Sequence, residues 1–152
     1  MDTRHDTRLQ TDVLDRHAAS DWLHDGAGDS GAVVLFSGVV RGEHGGVDTL
    51  ALEHYPGMSE RVLGELAAQV AVRWPLQRVL AWHRVGSLRL GEVIVLVGVA
   101  AAHRDAAFEA ASCLMDRVKT EVPLWKRVAG RDGEHWVDAR EKDLAAAARW
   151  SR

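Results

Sequence analysis

Two lysines on either side of a proline, Lys119 and Lys126, are the first candidates for chemistry in this sequence. Apolar residues before the proline recur at spacings of three and four, which predicts one face of a helix: Phe108, Ala111, Met115, Val118 and Val122. Pro123 ends that helix because it has no N–H to donate and its ring crowds the preceding turn. Lys119 then lies in the last helical turn. Lys126 follows on an extended segment, on the side of Leu124 and opposite Trp125.

Such a turn can bring the two ammonium groups toward one pocket, although seven positions separate them in the chain. A lysine that is desolvated beside other cations loses its proton more readily and can then act as acid, base or nucleophile. The alternative is that both are solvated surface lysines, which is the ordinary state of this residue.

Further cations stand where predicted elements begin or end. Arg41 follows an apolar strand and opens a glycine-containing loop, and Arg127 comes directly after the second lysine. His103 and Arg104 lie between another apolar strand and the start of the predicted helix, where free N–H groups and the helix dipole favour an anion. Each also has a plain alternative as a surface or helix-capping residue. We expect these groups to converge with the lysines around a small phosphorylated or otherwise anionic substrate.

Composition and motifs exclude several classes of protein. The net charge of −3 argues against wholesale nucleic-acid binding. The longest apolar run, residues 93–102, is too short to span a bilayer, and residues 1–12 do not resemble a secretory signal. The single cysteine, Cys113, is predicted to be a packed small hydrophobe and fits a reducing compartment. We therefore expect a cytoplasmic protein with neither nucleic-acid nor membrane partners.

Metal and cofactor signatures are missing from the sequence. His44, His54 and His83 are scattered without metal-ligand spacing. The chain also lacks a phosphate-binding P-loop and a dinucleotide-binding fingerprint. We predict no metal site and no cofactor.

The pattern of elements predicts a single α+β domain over residues 1–152, with a mostly antiparallel sheet packed against helices and with residues 1–10 flexible. Helices are expected at residues 13–23, 58–73, from just after Arg104 to 122, and 143–150. Strands are expected at residues 31–40, 49–55, 79–85 and 92–102, directly after Lys126, and at 136–137. The nearly continuous apolar run at 31–40 predicts a strand covered on both faces.

Several separate segments between residues 31 and 150 carry a resemblance to a known family. They are Gly31-Ala32-Val33-Val34, Val40-Arg41, Leu52-Glu53-His54-Tyr55-Pro56-Gly57-Met58, Arg73-Trp74-Pro75-Leu76, His83-Arg84-Val85-Gly86, Ala102-His103-Arg104, and Lys119-Thr120 with Pro123-Leu124-Trp125-Lys126-Arg127. In this order they resemble the large, catalytic subunits of molybdopterin synthase, the MoaE family.

The resemblance implies an α/β-hammerhead-type fold and a homodimer within a heterotetramer. The other partner it implies is a small ubiquitin-like sulfur-carrier subunit (MoaD-like), whose C-terminal Gly-Gly tail ends in a thiocarboxylate and enters the pocket. The implied reaction is that of a sulfurtransferase in molybdenum cofactor biosynthesis. It converts cyclic pyranopterin monophosphate into molybdopterin by delivering two sulfurs in two rounds.

The resemblance also assigns residues. The family's catalytic lysines fall on Lys119 and Lys126. Its substrate-binding positions fall on Val39, Val40, Arg41, His103, Arg104, Lys119, Lys126, Arg127 and Val128, and Arg140 matches a further family arginine. We expect Lys119 to act as the acid–base or charge-stabilising group, Lys126 to orient the reactants and His103 to move a proton.

Three other readings of the same residues stay open at this point. The first is a non-catalytic module that binds an anion or a pterin phosphate. The second is an enzyme that forms a Schiff base on a lysine. The third is a structural partner of a ubiquitin-like protein.

Overall fold

The computed structural model describes residues 3–25, 28–43, 46–131, 133–137 and 141–151. These residues form eight strands and four helices. The strands are β1 (Arg4–Gln10), β2 (Ala32–Val39), β3 (Thr49–His54), β4 (Leu76–Arg84), β5 (Gly86–Arg89), β6 (Val93–Ala101), β7 (Leu124–Gly130) and β8 (Gly133–Val137). The helices are α1 (Arg16–His24), α2 (Met58–Arg73), α3 (Arg104–Glu121) and α4 (Glu141–Ala148).

The strands pair into two four-stranded sheets. The larger sheet has the order β1-β4-β6-β2, with β1 parallel to β4 and the other pairs antiparallel. The smaller sheet has the order β5-β3-β7-β8 and is antiparallel throughout. The prediction of an α+β fold with a mostly antiparallel sheet is therefore confirmed.

Helices cover both faces of the larger sheet. On one face α2 and α3 bury an apolar core that includes Leu63, Leu114 and Val97. On the other face α1 packs its Leu23 against Leu80 and Leu96. Because β6 lies between β4 and β2 and is covered on both faces, its side chains from Val95 to Ala101 are buried. Within the described residues, no helix is both long and apolar enough to cross a membrane.

The prediction of a flexible stretch at residues 1–10 is wrong for residues 4–10. These residues form β1, which pairs with β4 along its whole length, from Arg4 opposite Arg78 to Gln10 opposite Arg84. The strand lies at the edge of the sheet and can therefore be polar. It lacks the run of apolar residues by which a buried strand is recognised in a sequence. Trp82 of β4 anchors it: its indole N–H donates to Asp6 Oδ1 at 2.9 Å.

The prediction that β2 is covered on both faces is also wrong for the single protomer. The strand lies at the other edge of the larger sheet, where Phe36 is 45% exposed and Val39 is 51% exposed. Phe108 on α3 was expected on the buried helix face and is 62% exposed. The short strand β5 was not anticipated from the sequence.

A buried arginine ties the ends of three strands together. Arg84, at the end of β4, donates from Nη1 to Glu92 Oε2 and from Nη2 to the carbonyl oxygen of Thr11 at 2.8 Å. Glu92 also accepts from the backbone N–H of Arg89 at 3.0 Å. The Arg84 hydrogen bond, together with that from Arg89, lowers the pKa of Glu92 below its ordinary value.

This pair predicts a pH-dependent loss of stability in Glu92→Gln. A carboxylate whose pKa is lowered in the folded state stabilises that state above the unfolded pKa, and the contribution is lost as pH falls. The difference in free energy of unfolding between wild type and Glu92→Gln should be largest near neutral pH. It should shrink as the pH falls below about 4.3, the ordinary glutamate value. Urea denaturation across pH measures it, with the exposed Glu65→Gln as control; a difference that is independent of pH would contradict the argument.

Candidate functional site

A cavity of about 470 Å³ lies between the C-terminal end of α3, the smaller sheet and the adjoining ends of β2, β4 and β6. Helix α3 contributes Met115, Val118, Lys119 and Val122 to its lining, and β7 contributes Leu124, Lys126 and Val128. Helix α3 and the smaller sheet thus each supply one lysine to the same cavity. The predicted convergence of Lys119 and Lys126 on one pocket is confirmed.

The proline turn produces this arrangement in the way the sequence predicts. Helix α3 ends at Glu121, and Val122 adopts an extended conformation with φ −74° and ψ 125° before Pro123. Along β7 the side chains alternate, so that Lys126 shares the pocket face with Leu124 while Trp125 faces away and is 48% exposed. In the single protomer the Lys119 side chain is exposed, whereas Lys126 is partly buried.

A serine that the sequence analysis did not single out holds the proline turn in place. Ser59, in the first turn of α2, is completely buried. Its hydroxyl donates to the carbonyl oxygen of Pro123 at 2.7 Å and accepts from the backbone N–H of Tyr55 at 2.8 Å. The start of one helix therefore positions the end of another. Because 64 residues separate the serine from the proline, no local pattern indicates the contact.

Arg41 reaches the rim of the cavity from the loop that follows β2. The register between β2 and β6 shifts at Gly38/Val39, which redirects the chain as it leaves the sheet. Val39, Val40 and Arg41 all line the cavity. The Arg41 side chain is 76% exposed, and its Nη2 lies 3.9 Å from Glu43 Oε1.

The returning part of that loop crosses β7 at close range. A side chain at Gly130 would collide with the backbone of Gly46 and Val47, so only glycine fits there without moving the loop. Val47 and Val128, which line the cavity, pack in the same small core as Val40. The loop with Arg41 is thereby fixed to the strand with Lys126.

The expectation that His103 and Arg104 join this pocket is wrong within one protomer. His103 is the N-cap of α3 and Arg104 is its first residue, whereas Lys119 lies in its last turn. At a rise of 1.5 Å per residue, the helix separates Arg104 from Lys119 by about 22 Å. Both His103 and Arg104 are exposed, and neither lines the cavity.

Arg127 does not line the cavity either. It follows Lys126 on β7 and so points to the opposite face of the strand. There its Nε lies 2.7 Å from Glu134 Oε1, and its guanidinium lies 5.4 Å from the centre of the Trp136 ring. His44 and Arg140, which the sequence analysis also named, lie outside the described residues.

One histidine was considered from the sequence only as a metal ligand, yet it lines the cavity. His83, near the end of β4, is 7% exposed, and its Nδ1 lies 2.7 Å from the carbonyl oxygen of Arg84. Burial lowers the pKa of His83, and the hydrogen bond to the Arg84 carbonyl opposes this with a smaller effect. The sequence analysis did not predict this burial, although the apolar residues that precede His83 in its strand are a signal that could have indicated it.

Cys113 belongs to the core and not to the cavity. The thiol is 1% exposed among the residues that α3 packs against the larger sheet. Burial is the main cause that raises its pKa. The prediction of a packed small hydrophobe is confirmed.

The fold and the cavity together define a class: α+β proteins in which a helix end and the following strand place two lysines in one pocket. A family model described as MoaE protein matches residues 9–121. The molybdopterin synthase catalytic subunit of Mesorhizobium japonicum is 50% identical over 145 residues, which cover 94% of this chain and 91% of that protein. The chain belongs to the MoaE family.

Other relatives agree with this placement. The molybdopterin synthase catalytic subunit of Escherichia coli is 51% identical over 131 residues, covering 85% of this chain and 87% of that protein. The solved structure of the molybdopterin cofactor biosynthesis protein E from Burkholderia multivorans superposes with a TM-score of 0.83 at 42% identity, over 98% of each chain. The likeness therefore extends over nearly the whole fold.

The contacts of Ser59 predict that Ser59→Ala destabilises the protein. The change leaves the Pro123 carbonyl and the Tyr55 N–H without the buried partner that joins them. We expect a loss of about 2 kcal/mol in the free energy of unfolding. Denaturant unfolding measures it, and the exposed Ser87→Ala on β5 is the matched control. Equal stability of Ser59→Ala and wild type would show that the turn does not depend on this hydroxyl.

Proposed function

We propose that this chain is the catalytic subunit of a molybdopterin synthase. It is a sulfurtransferase that converts cyclic pyranopterin monophosphate into molybdopterin with sulfur from a thiocarboxylated carrier protein. The observation that carries the proposal is the meeting of Lys119 and Lys126 in one cavity, in a chain half identical to proteins named molybdopterin synthase catalytic subunits.

The cavity suits a small phosphorylated substrate. Its volume lies within the range of about 300–1,000 Å³ usual for small-molecule sites. Arg41, Lys119 and Lys126 carry cationic groups that can bind a phosphate, although the chain as a whole has a net charge of −3. The rest of the lining is largely apolar and suits a flat heterocycle. We propose Val39, Val40 and Val128 as contacts of the bound substrate, in line with their positions on the cavity wall.

Sulfur transfer requires groups that stabilise charge and handle protons. The thiocarboxylate sulfur attacks an oxygen-bearing carbon of the pterin side chain, and the C–O bond of that carbon breaks, so that its oxygen leaves with the opening cyclic phosphate in one round and as water in the other. Water then hydrolyses the thioester that joins carrier and pterin, which releases the carrier as a carboxylate and leaves the sulfur on the pterin. Negative charge develops on the carrier's terminal carbonyl oxygen, and Lys119 near that oxygen stabilises it. Lys126, on β7 of the smaller sheet, orients the substrate or the thiocarboxylate. Two rounds of this transfer produce the dithiolene.

A second protein has to deliver the sulfur. The relatives are named catalytic subunits, which implies that a further subunit exists. We propose a small ubiquitin-like carrier whose Gly-Gly tail enters the cavity beside Lys119. In the single protomer that lysine is exposed, so an entering tail would remove it from water and strengthen its interaction with the reacting groups. A cytoplasmic location is part of the proposal, supported by the buried, unpaired Cys113.

His103 and Arg104 are too far from the cavity of their own chain to act there, so they can act in the reaction only at the cavity of a second copy of the chain. Their own cavity is about 22 Å away along the helix. We propose a homodimer in which the pair of one protomer approaches the cavity of the other, where Arg104 binds the phosphate and His103 moves a proton. The apolar edge strand β2, with Phe36 and Val39 exposed beside the cavity, supports a covering partner on this side.

The direct test combines the protein with thiocarboxylated carrier and cyclic pyranopterin monophosphate, and reads the mass of the pterin product. Wild type should yield a product with two added sulfurs. Lys119→Ala should lower the rate by a factor of about 100 or more, as loss of a charge-stabilising group does in other enzymes. Arg61→Ala, an exposed cation on α2, should leave the rate unchanged. Pterin that binds without gaining sulfur would identify a non-catalytic binding module, and borohydride trapping on a lysine would indicate a Schiff-base enzyme.

Mixed dimers test the contribution of the second protomer. Lys119→Ala and Arg104→Ala homodimers should both be impaired. In a dimer of one chain of each kind, one cavity combines an intact Lys119 with an intact Arg104 from the other chain. A refolded equimolar mixture should therefore recover about one quarter of wild-type activity, since half the dimers are mixed and each has one intact site. No recovery would mean that the two residues act in the same chain. Full activity of the Arg104→Ala homodimer on its own would mean that Arg104 is not required.

A further inference from the structure

His83 occupies a defined position on the wall of the cavity. It lies directly opposite Val95 of β6, which lies directly opposite Gly38 of β2, so the three residues form one row across the larger sheet. Directly opposed residues share a face of an antiparallel sheet, and all three line the cavity. Because His83 is only 7% exposed, the accessible part of its ring faces this cavity.

The hydrogen bond to the backbone fixes which ring nitrogen carries the proton. Nδ1 lies 2.7 Å from the carbonyl oxygen of Arg84, and a carbonyl oxygen only accepts, so Nδ1 must donate. In the neutral ring, Nε2 then presents a lone pair. Nε2 has no hydrogen-bond partner among the described residues, and it is not sealed off from solvent. The ring therefore offers a hydrogen-bond acceptor to whatever occupies the cavity.

Burial keeps the ring in this neutral form. Desolvation lowers the pKa of His83, and the bond to the Arg84 carbonyl, which favours the protonated form, is the smaller effect. Arg84 itself points away from the cavity, toward Glu92 and the Thr11 carbonyl. The acceptor at Nε2 is thus available near neutral pH.

The other polar side chains on the described cavity wall have a different chemistry. Arg41, Lys119 and Lys126 can only donate hydrogen bonds, and Glu43 lies beside the Arg41 guanidinium. Donors suit a phosphate, but they cannot recognise the ring N–H and amino groups of a nitrogen heterocycle. Glu43 is a charged acceptor and lies beside Arg41, whereas His83 offers a buried, neutral acceptor on the same wall.

We propose that Nε2 of His83 accepts a hydrogen bond from an N–H group of the heterocyclic part of the substrate. His83 is then a binding residue that distinguishes a phosphorylated nitrogen heterocycle from other phosphorylated molecules of similar size. The proposal rests on the function proposed above, and it adds the group that recognises the ring to those that recognise the phosphate.

Two substitutions separate this role from a structural one. Asparagine can place its amide nitrogen near the position of Nδ1, so His83→Asn retains the donor to the Arg84 carbonyl but has nothing at the position of Nε2. Glutamine is one methylene longer, so His83→Gln can present its amide oxygen near Nε2. A structural role would be satisfied by asparagine, whereas a binding role favours glutamine.

Calorimetric titration with cyclic pyranopterin monophosphate gives the decisive comparison. We expect His83→Asn to raise Kd about five- to tenfold, as the loss of one hydrogen bond predicts, and His83→Gln to remain within about threefold of wild type. In turnover assays His83→Asn should raise KM for the pterin with little change in kcat. His17→Asn, on the exposed surface of α1, should bind as wild type does. Wild-type affinity in His83→Asn, or equal losses in both variants, would overturn the proposal.

A measurement on the unsubstituted protein covers the case in which a variant fails to fold. The ¹⁵N resonance of His83 Nε2 should move to lower frequency when the cyclic pterin binds, because the lone pair becomes engaged. An unchanged resonance in the presence of bound pterin would overturn the proposal. Wild-type binding without sulfur transfer would refute the proposed function but not this assignment, whereas normal turnover with unchanged affinity in His83→Asn would refute this assignment alone.

Discussion

The turn at Pro123 is the constraint on which the cavity depends. A proline in this position ends α3 and sends the chain directly into β7, so the two lysines arrive from a helix and from a strand. The buried hydroxyl of Ser59 then fixes the turn against the start of α2, with a donated bond to Pro123 and an accepted bond from Tyr55. Without that contact, the turn would be held only by the pairing of β7 with β3 and by side-chain packing.

The cavity separates its charges from its apolar and neutral parts. Arg41 and Lys119 are exposed in the protomer, while the buried lining consists of apolar side chains and His83. An anion can therefore meet the cations without full desolvation of those cations, which would be costly. A heterocycle attached to that anion would extend toward the apolar wall, where a neutral acceptor is inexpensive to bury because its ring already donates to a backbone carbonyl.

Local chemistry explains why part of the site could be predicted from the sequence. The proline stop, the extended Val122 and the alternation from Leu124 to Lys126 follow from rules that act over a few residues, and all three agree with the structure. The same rules placed Arg41 at a strand end. They did not find Ser59, whose partner is 64 positions away, or β1, which is a strand only because β4 offers it an edge. Contacts of this kind are decided by tertiary packing, which the spacing of apolar residues along the chain does not indicate.

Helix α3 shows why the convergence of His103 and Arg104 with the lysines was misjudged. Sequence order placed all four residues at element ends, and element ends commonly meet at sites. A straight helix, however, keeps its two ends apart by its own length, so a pair at its first residues and a lysine in its last turn cannot share a cavity in one chain.

The features left uncovered on one protomer lie together: the edge of β2, the exposed Phe36 and Val39, and the open side of the cavity at Lys119. An apolar edge strand is a liability when it is left bare, and proteins ordinarily cover one. Further protein bound on that side would cover both the exposed edge of β2 and the exposed Lys119. This is the physical reason to regard the single chain as one part of the working site.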